Sequence, residues 1–188
     1  MGEGFSAIIL AGGRSQRMGS PKALTLYRGK PLIQYPLDLA AIVTTVTFIS
    51  ANGHDLDHLG FRIIPDIYPV NAPLAGIHAG LTASPYLWNL VLSCDMPGVS
   101  LDLIRRLWPL LNDEFQIVVP AHHGFVEPLC GFYHQSLLPL IEVNLKSGKY
   151  SPLDLIWEAP TRFLTFEADE EHTALELFRN INTREDLE

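Results

Sequence analysis

The sequence predicts an α/β fold built from parallel βαβ units, and two features of the chain point there. Strand-like apolar runs alternate with helix-like stretches through the first 120 residues. The clearest runs, residues 7–10 and 87–92, break abruptly into glycine or polar residues, as buried strands do at the edge of a sheet.

Each element follows in order. The run Ala7-Ile8-Ile9-Leu10 reads as a buried first strand that opens into Ala11-Gly12-Gly13. A polar loop with Arg14, Arg17, Gly19 and Lys22 comes next. Gly29-Lys30-Pro31 precedes a helix over residues 32–42, with Pro31 suited to its first position and Pro36 placed to kink or delay it. Residues 46–49 read as a second strand, ending in Ser50-Ala51-Asn52-Gly53. Residues 62–64 form a third, closed by Pro65, and the proline-rich stretch to Pro73 is an ordered loop. Residues 74–83 read as a helix whose Ala75, Gly76, Ala79 and Gly80 let it lie close to the sheet or a ligand. The strand over residues 87–92 ends in Ser93-Cys94-Asp95-Met96-Pro97.

Ser100 caps a helix over residues 101–111, with Asp102 in its favourable first turn. A strand over 115–119, a surface turn at His122-His123-Gly124 and a strand over 128–133 follow. Helices are expected over 135–145 and from Ser151-Pro152 to residue 157, then a strand over 162–166. The acidic run 167–171 reads as a solvated loop, residues 178–181 as a last short strand, and Thr183 as the cap of a terminal helix. Trp88, Trp108 and Trp157 read as core anchors and His78 as structural. No repeat or linker interrupts the chain, so residues 1–188 are expected to form one domain.

Composition limits the function. At 47% hydrophobic and 18% charged residues, the 188-residue chain is a packed globular protein and not a disordered one. No apolar run approaches the roughly 20 residues that span a bilayer, and no basic leader precedes the first strand. Two cysteines without C-x-x-C spacing, Cys94 and Cys130, fit a reduced, cytoplasmic protein. A net charge of -8 argues against nucleic acid as a partner. Against that acidic background, residues 5–37 hold five cations and no Asp or Glu. A local basic patch on an acidic protein suits a small polyanion such as a nucleoside triphosphate, although solvated faces also cluster charge.

The candidate chemistry gathers at strand ends. Glycines after an apolar strand, followed by cations, suit a phosphate site, because a backbone without Cβ atoms can approach an oxyanion. The loop fits neither the Walker pattern nor G-x-G-x-x-G: five residues separate Gly13 from Gly19, and Ser20-Pro21-Lys22 follows. Asn52 and Asp95 also fall at strand ends, where open α/β sheets bind ligands. Asp95 is placed to hold Mg²⁺ beside a triphosphate or to cap a turn. Asp66 shares that ambiguity, and Asn52 suits a base, a ribose or an Asn-Gly turn. His122-His123 lacks zinc spacing and an acidic neighbour in sequence. With no nucleophile arrangement in view, positioning and charge neutralisation are the expected catalytic mode.

The stretch Leu10-Ala11-Gly12-Gly13-Arg14-Ser15-Gln16-Arg17-Met18-Gly19, with Lys22, resembles the signature of the molybdenum cofactor guanylyltransferases, within the nucleotidyltransferase superfamily. Further blocks match in the family's order: Gly29-Lys30-Pro31-Leu32, Pro73-Leu74-Ala75-Gly76-Ile77, Cys94-Asp95-Met96-Pro97, Glu127-Pro128-Leu129 and Asn180-Ile181-Asn182-Thr183. The resemblance implies a three-layer α/β/α fold with a mostly parallel, Rossmann-like sheet of the nucleotide-diphospho-sugar transferase type. It implies transfer of GMP from GTP to molybdopterin cofactor, with pyrophosphate released and Mg²⁺ as cofactor. It places Leu10, Ala11, Gly12 and Gly13 against the nucleotide, Arg17 and Lys22 on its phosphates, and Asn52 and Asp66 in its pocket. Asp95 would hold the metal, and Asn180 and Asn182 would approach the metal and the acceptor. Molybdoenzymes or cofactor-synthesis proteins are the partners it implies, with no nucleic acid and no membrane.

Members that use CTP carry Leu-Ala-Ala-Gly where this chain has Leu10-Ala11-Gly12-Gly13, and their counterpart of Pro73-Leu74-Ala75-Gly76 also differs, so both positions resemble the guanine version. Departures are Pro21 before Lys22, where many members have an acid; Ala72 before Pro73, where they have Gly; and Arg184 after Thr183, where they have Pro. The alternatives at this level are a CTP-dependent molybdopterin cytidylyltransferase, a sugar-phosphate nucleotidyltransferase, and a non-catalytic nucleotide- or cofactor-binding partner of a molybdoenzyme.

Overall fold

Side chains that alternate in direction along buried strands sort the core into two faces of one sheet. The computed structural model describes residues 4–12, 21–183 and 185–187. Its strands are β1 (Ser6–Leu10), β2 (Leu26–Tyr27), β3 (Lys30–Pro31), β4 (Thr47–Ser50), β5 (Arg62–Ile64), β6 (Trp88–Ser93), β7 (Ile117–His122), β8 (Phe125–Val126), β9 (Cys130–His134) and β10 (Thr161–Thr165). Its α-helices are α1 (Gln34–Val43), α2 (Pro73–Ala83), α3 (Leu101–Leu107), α4 (Leu138–Lys146), α5 (Pro152–Glu158) and α6 (Glu171–Leu177).

The main sheet has the order β10-β7-β9-β6-β1-β4-β5, with β8 paired to β7. Strands β6, β1, β4 and β5 are mutually parallel, and β10 is parallel to β7. Only β9 runs against both of its neighbours, β6 and β7. β7 therefore points the same way as β6, and the carboxyl ends of the parallel strands share one edge. On one face Ala7, Ile9, Leu90 and Leu92 meet α1 and α3 through Leu37, Ala40, Leu103 and Leu107. On the other Ile8, Leu10 and Val91 meet α2, α4 and α5 through Leu74, Ile77, Ile141 and Leu155. This is the expected three-layer α/β/α arrangement, and the period of two in side-chain direction produces it.

Several elements differ from expectation. Pro31 lies in the small β2–β3 hairpin, and α1 begins only at Gln34. Pro36 therefore occupies the third helical position, where a missing N–H leaves no intrahelical bond unmade. The acidic run 167–171 is not a loop but a 3₁₀ turn, Ala168–Glu170, leading into α6. Arg106 holds that turn through two bonds to Glu170, at 2.7 and 3.3 Å. Residues 178–181 form no strand; Phe178 and Ile181 instead bury their side chains as anchors of an irregular segment. The terminal helix is one 3₁₀ turn, Glu185–Leu187, and Asp186 Oδ2 accepts the backbone N–H groups of Asn182 and Thr183. Trp108 and Trp157 are not core anchors, at 45% and 69% exposure.

Candidate functional site

The shared carboxyl edge collects the residues singled out in sequence. Ala11 N–H donates to Ser50 O at 3.0 Å, Cys94 N–H to Leu10 O at 3.2 Å, and Ala51 N–H to Ile64 O at 3.2 Å. These bonds continue the ladder past the strands and bring the segments after β1, β4, β5 and β6 side by side. Helix α2 comes down onto the same edge. A Cβ on Gly76 would lie 2.5 Å from Ser50 Oγ and 3.0 Å from Leu10 Cδ2, so a glycine is what permits that approach.

Lys22 is the hub. Its Nζ donates to Asp95 Oδ2 at 2.8 Å and to Asn182 Oδ1 at 2.6 Å. Both side chains of the Lys22–Asp95 pair are about one-fifth exposed, at 22% and 21%. Ser93, at the end of β6, donates its hydroxyl to Asp95 Oδ1. The C-terminal segment is tied to the same place by Ile181 N–H donating to Asp95 O at 2.8 Å. Asn182 thus reaches Lys22 because its neighbour is fixed to the backbone beside Asp95. Asn180 does not join this cluster; its amide donates to Phe178 O, at 3.4 Å, within its own segment.

Asn52 and Asp66 pair with each other. Asn52 Nδ2 donates to Asp66 Oδ2 at 2.6 Å, and Asp66 N–H donates to Asn52 Oδ1 at 3.0 Å. Burial pushes the Asp66 carboxyl above its ordinary range, and the Asn52 bond offsets part of that. Leu10, Ala11 and Gly12 sit where expected, at the end of β1. Gly13 and Arg17 lie outside the described residues.

Sequence reasoning missed two residues here. His122 is not a surface turn residue: it ends β7, is buried, and its Nε2 lies 2.9 Å from Glu127 Oε1. The intervening turn has His123 and Gly124 at φ of +50° and +77°, which folds β8 back and delivers Glu127 to the imidazole. Burial pushes the Glu127 carboxyl up, the His122 bond lowers it, and the nearby charge of Asp95 raises it. The signal available in sequence was His123-Gly124 itself, a two-residue hairpin turn read there as a plain surface turn.

As a magnesium donor set, the described residues offer Asp95 at the centre of the edge. Among the described residues no group of three or more His, Cys, Asp or Glu side chains could hold a metal ion. That chemistry fits Mg²⁺, which binds through one or two carboxylates, substrate phosphates and water, and does not fit a cage made wholly by protein.

Comparison with known proteins shows relatives along nearly the whole chain. Residues 7–156 match the family model for the MobA-like NTP transferase domain. The chain is 31% identical over 185 residues to a probable molybdenum cofactor guanylyltransferase of Flavobacterium johnsoniae, covering 98% of this chain and 95% of that protein. It is 34% identical over 186 residues to the molybdenum cofactor guanylyltransferase of Vibrio cholerae, covering 97% and 89%. Among solved structures, molybdopterin-guanine dinucleotide biosynthesis protein A from Archaeoglobus fulgidus superposes with a TM-score of 0.81 at 24% identity, over 97% of this chain and 95% of that one. A 4-diphosphocytidyl-2C-methyl-D-erythritol synthase from Anaerococcus prevotii shares the fold at a TM-score of 0.72 and 17% identity, over 98% and 93%. With most of its length matched by the family model and relatives above 30% identity along nearly all of it, the chain belongs to the MobA-like NTP transferase family.

Proposed function

We propose that this nucleotidyltransferase moves GMP from GTP to molybdopterin cofactor, giving the guanine dinucleotide form and pyrophosphate. The names of its relatives supply the substrates. The observation that carries the reading in this chain is the meeting of Lys22, Asp95 and Asn182 from three distant segments at one sheet edge. No helix among the described residues is long and apolar enough to cross a membrane. Both cysteines are buried and unbridged, which supports a cytoplasmic setting.

In this reading Leu10, Ala11, Gly12 and Gly13 lie along the nucleotide, and the Asn52–Asp66 pair closes its pocket. Lys22 neutralises phosphate charge, together with Arg17. The terminal phosphate of the acceptor attacks the α-phosphorus in line, an oxygen–phosphorus bond forms, and the bond to pyrophosphate breaks. Asp95 would hold Mg²⁺, which when bound supplies charge neutralisation at the phosphoryl oxygens. Asn182 keeps Lys22 aimed at the reacting phosphates, and Asn180 lines the acceptor's approach.

The test is pyrophosphate release from GTP and magnesium, with and without molybdopterin cofactor. Release that requires the acceptor supports the reading; release with CTP in place of GTP overturns the choice of base. Lys22→Ala and Asp95→Ala are each expected to lose at least about a hundredfold in turnover, the scale of a removed electrostatic contact to the transition state. Near wild-type turnover in either variant would remove that residue from the chemistry.

A further inference from the structure

One buried polar pair at the site edge has no task in the reaction as described. The His122 side chain is 7% exposed and that of Glu127 18%. The imidazole stacks on Phe178, with centroids 5.0 Å apart and planes 15° from parallel, and meets Phe166 edge-on. Its Nδ1 is buried without a hydrogen-bond partner, while Nε2 faces the carboxylate. The hydrogen bonding therefore assigns the proton to Nε2, and the imidazole donates to Glu127. The backbone of Glu127 is fixed as well: its N–H donates to Pro120 O at 3.0 Å, and its carbonyl accepts Cys130 N–H at 3.3 Å.

The strand order gives this pair its side of the site. Leu10 ends β1, Asn52 and Asp66 follow β4 and β5, and Asp95 follows β6. Glu127 precedes β9 and His122 ends β7, both on the other side of Asp95. Strands lie about 4.8 Å apart, so the carboxylate stands one or two strand spacings from Asp95. A nucleotide seated over β1, β4 and β5 leaves this half of the edge to the acceptor. A carboxylate cannot favour the acceptor's phosphate, since like charges repel. It can favour N–H donors elsewhere in the acceptor. Placing a second carboxylate in a half-buried position near Asp95 is unfavourable for folding alone, and a neutral pair would fill the space at lower cost.

Resting on the guanylyltransferase reading, we propose that Glu127 binds the acceptor through its N–H donors, the amino-lactam edge of a pterin being the chemistry that fits. His122 is then the positioning residue that aims the carboxylate. An amino-lactam edge presents two adjacent N–H groups, and a carboxylate presents two matching acceptors.

Steady-state pyrophosphate release with the acceptor and GTP varied separately tests this, alongside thermal shifts with GTP and magnesium. Glu127→Gln is expected to raise the acceptor KM at least about tenfold, the loss of a hydrogen bond to a charged group. The GTP KM and the GTP-magnesium shift stay within twofold of wild type. His122→Phe, which keeps the stacking surface but loses the donor, gives the same acceptor-selective defect. His122→Gln, which restores an N–H donor, recovers most of it. An unchanged acceptor KM in Glu127→Gln overturns the proposal, and so does an equal loss for GTP-magnesium, which would place Glu127 at the metal. Should Glu127→Gln fail to fold, Glu127→Asp keeps the charge and shortens its reach; a normal acceptor KM in that variant is equally fatal. Wild-type enzyme that releases no pyrophosphate in response to acceptor sinks the guanylyltransferase reading itself, a result seen before any variant is compared.

Discussion

Gly12 is the residue at which packing and ligand arguments separate. Among the described residues, a Cβ built there meets only Ser50 O, at an ordinary 4.0 Å, and its φ is not in the left-handed region. Neither crowding nor backbone strain in the described protein calls for glycine, in contrast to Gly76. In the guanylyltransferase reading, glycine at this position leaves space for a bound purine. Gly12→Ala is therefore expected to fold with a stability change within about 0.5 kcal/mol of wild type, while losing affinity for GTP relative to CTP in competition binding. An unaltered preference would remove Gly12 from base selection. At this scale the sequence was informative about identity and weaker about company. Lys22, Asp95 and Asn182 were each flagged, but their convergence depends on contacts across 160 residues and on the Ile181–Asp95 backbone bond. No local pattern encodes either. Glu127 went without a role because its partner, His122, was read as solvated.

The elements that escaped sequence reading are those whose local chemistry had two readings. Four acids in residues 167–171 suit a solvated loop, yet acids also suit a helix N-terminus, where they complement the macrodipole. The deciding signal was the spacing of buried Ala174 and Phe178 and half-buried Leu177, one core-facing side of α6 continuing into its exit. That exit matters, because it leads directly to Asn180 and Asn182. Gly98 holds it in place by having no side chain. A Cβ there would lie 2.3 Å from Glu176 O and 3.0 Å from Leu177 O, both backbone atoms that cannot swing aside as a side chain can. Gly98→Ala should thus destabilise by about 1–3 kcal/mol, as overpacking does, measurable as a lower denaturant midpoint with an unchanged slope. It should also lower turnover in folded protein, since α6 can relieve the clash only by shifting the segment that bonds Asp95 and Lys22. Unchanged stability would show that the helix end moves freely and that the clamp is looser than these contacts imply.

At the scale of the molecule, one antiparallel strand determines how the site is divided. Parallel βαβ units were legible because their strands are near-continuous apolar runs, Ala7-Ile8-Ile9-Leu10 most clearly. The insertion of β9 between β6 and β7 was not, since strand order follows from tertiary packing and leaves no mark on a single strand. Its consequence is an edge with the ends of β1, β4 and β5 on one side, Asp95 at the centre, and a second half carrying His122 and Glu127; in the proposed reading the first side takes the nucleotide. Charge is uneven along the chain: residues 5–37 bring five cations to a chain of net charge -8. A triphosphate should therefore stabilise the whole protein by neutralising these cations. At 100 times its dissociation constant, GTP with magnesium should add about 2.7 kcal/mol, a rise in Tm of about 5–10 °C for a chain of this size. Raised salt should shrink that rise by screening the loop cations, and CTP should give less. Asp95→Ala should leave the response to GTP alone largely intact while removing the increment due to magnesium, because Lys22 and the loop still hold the phosphates. A magnesium increment that survives in Asp95→Ala would move the metal away from the end of β6 and break the central link between the two halves.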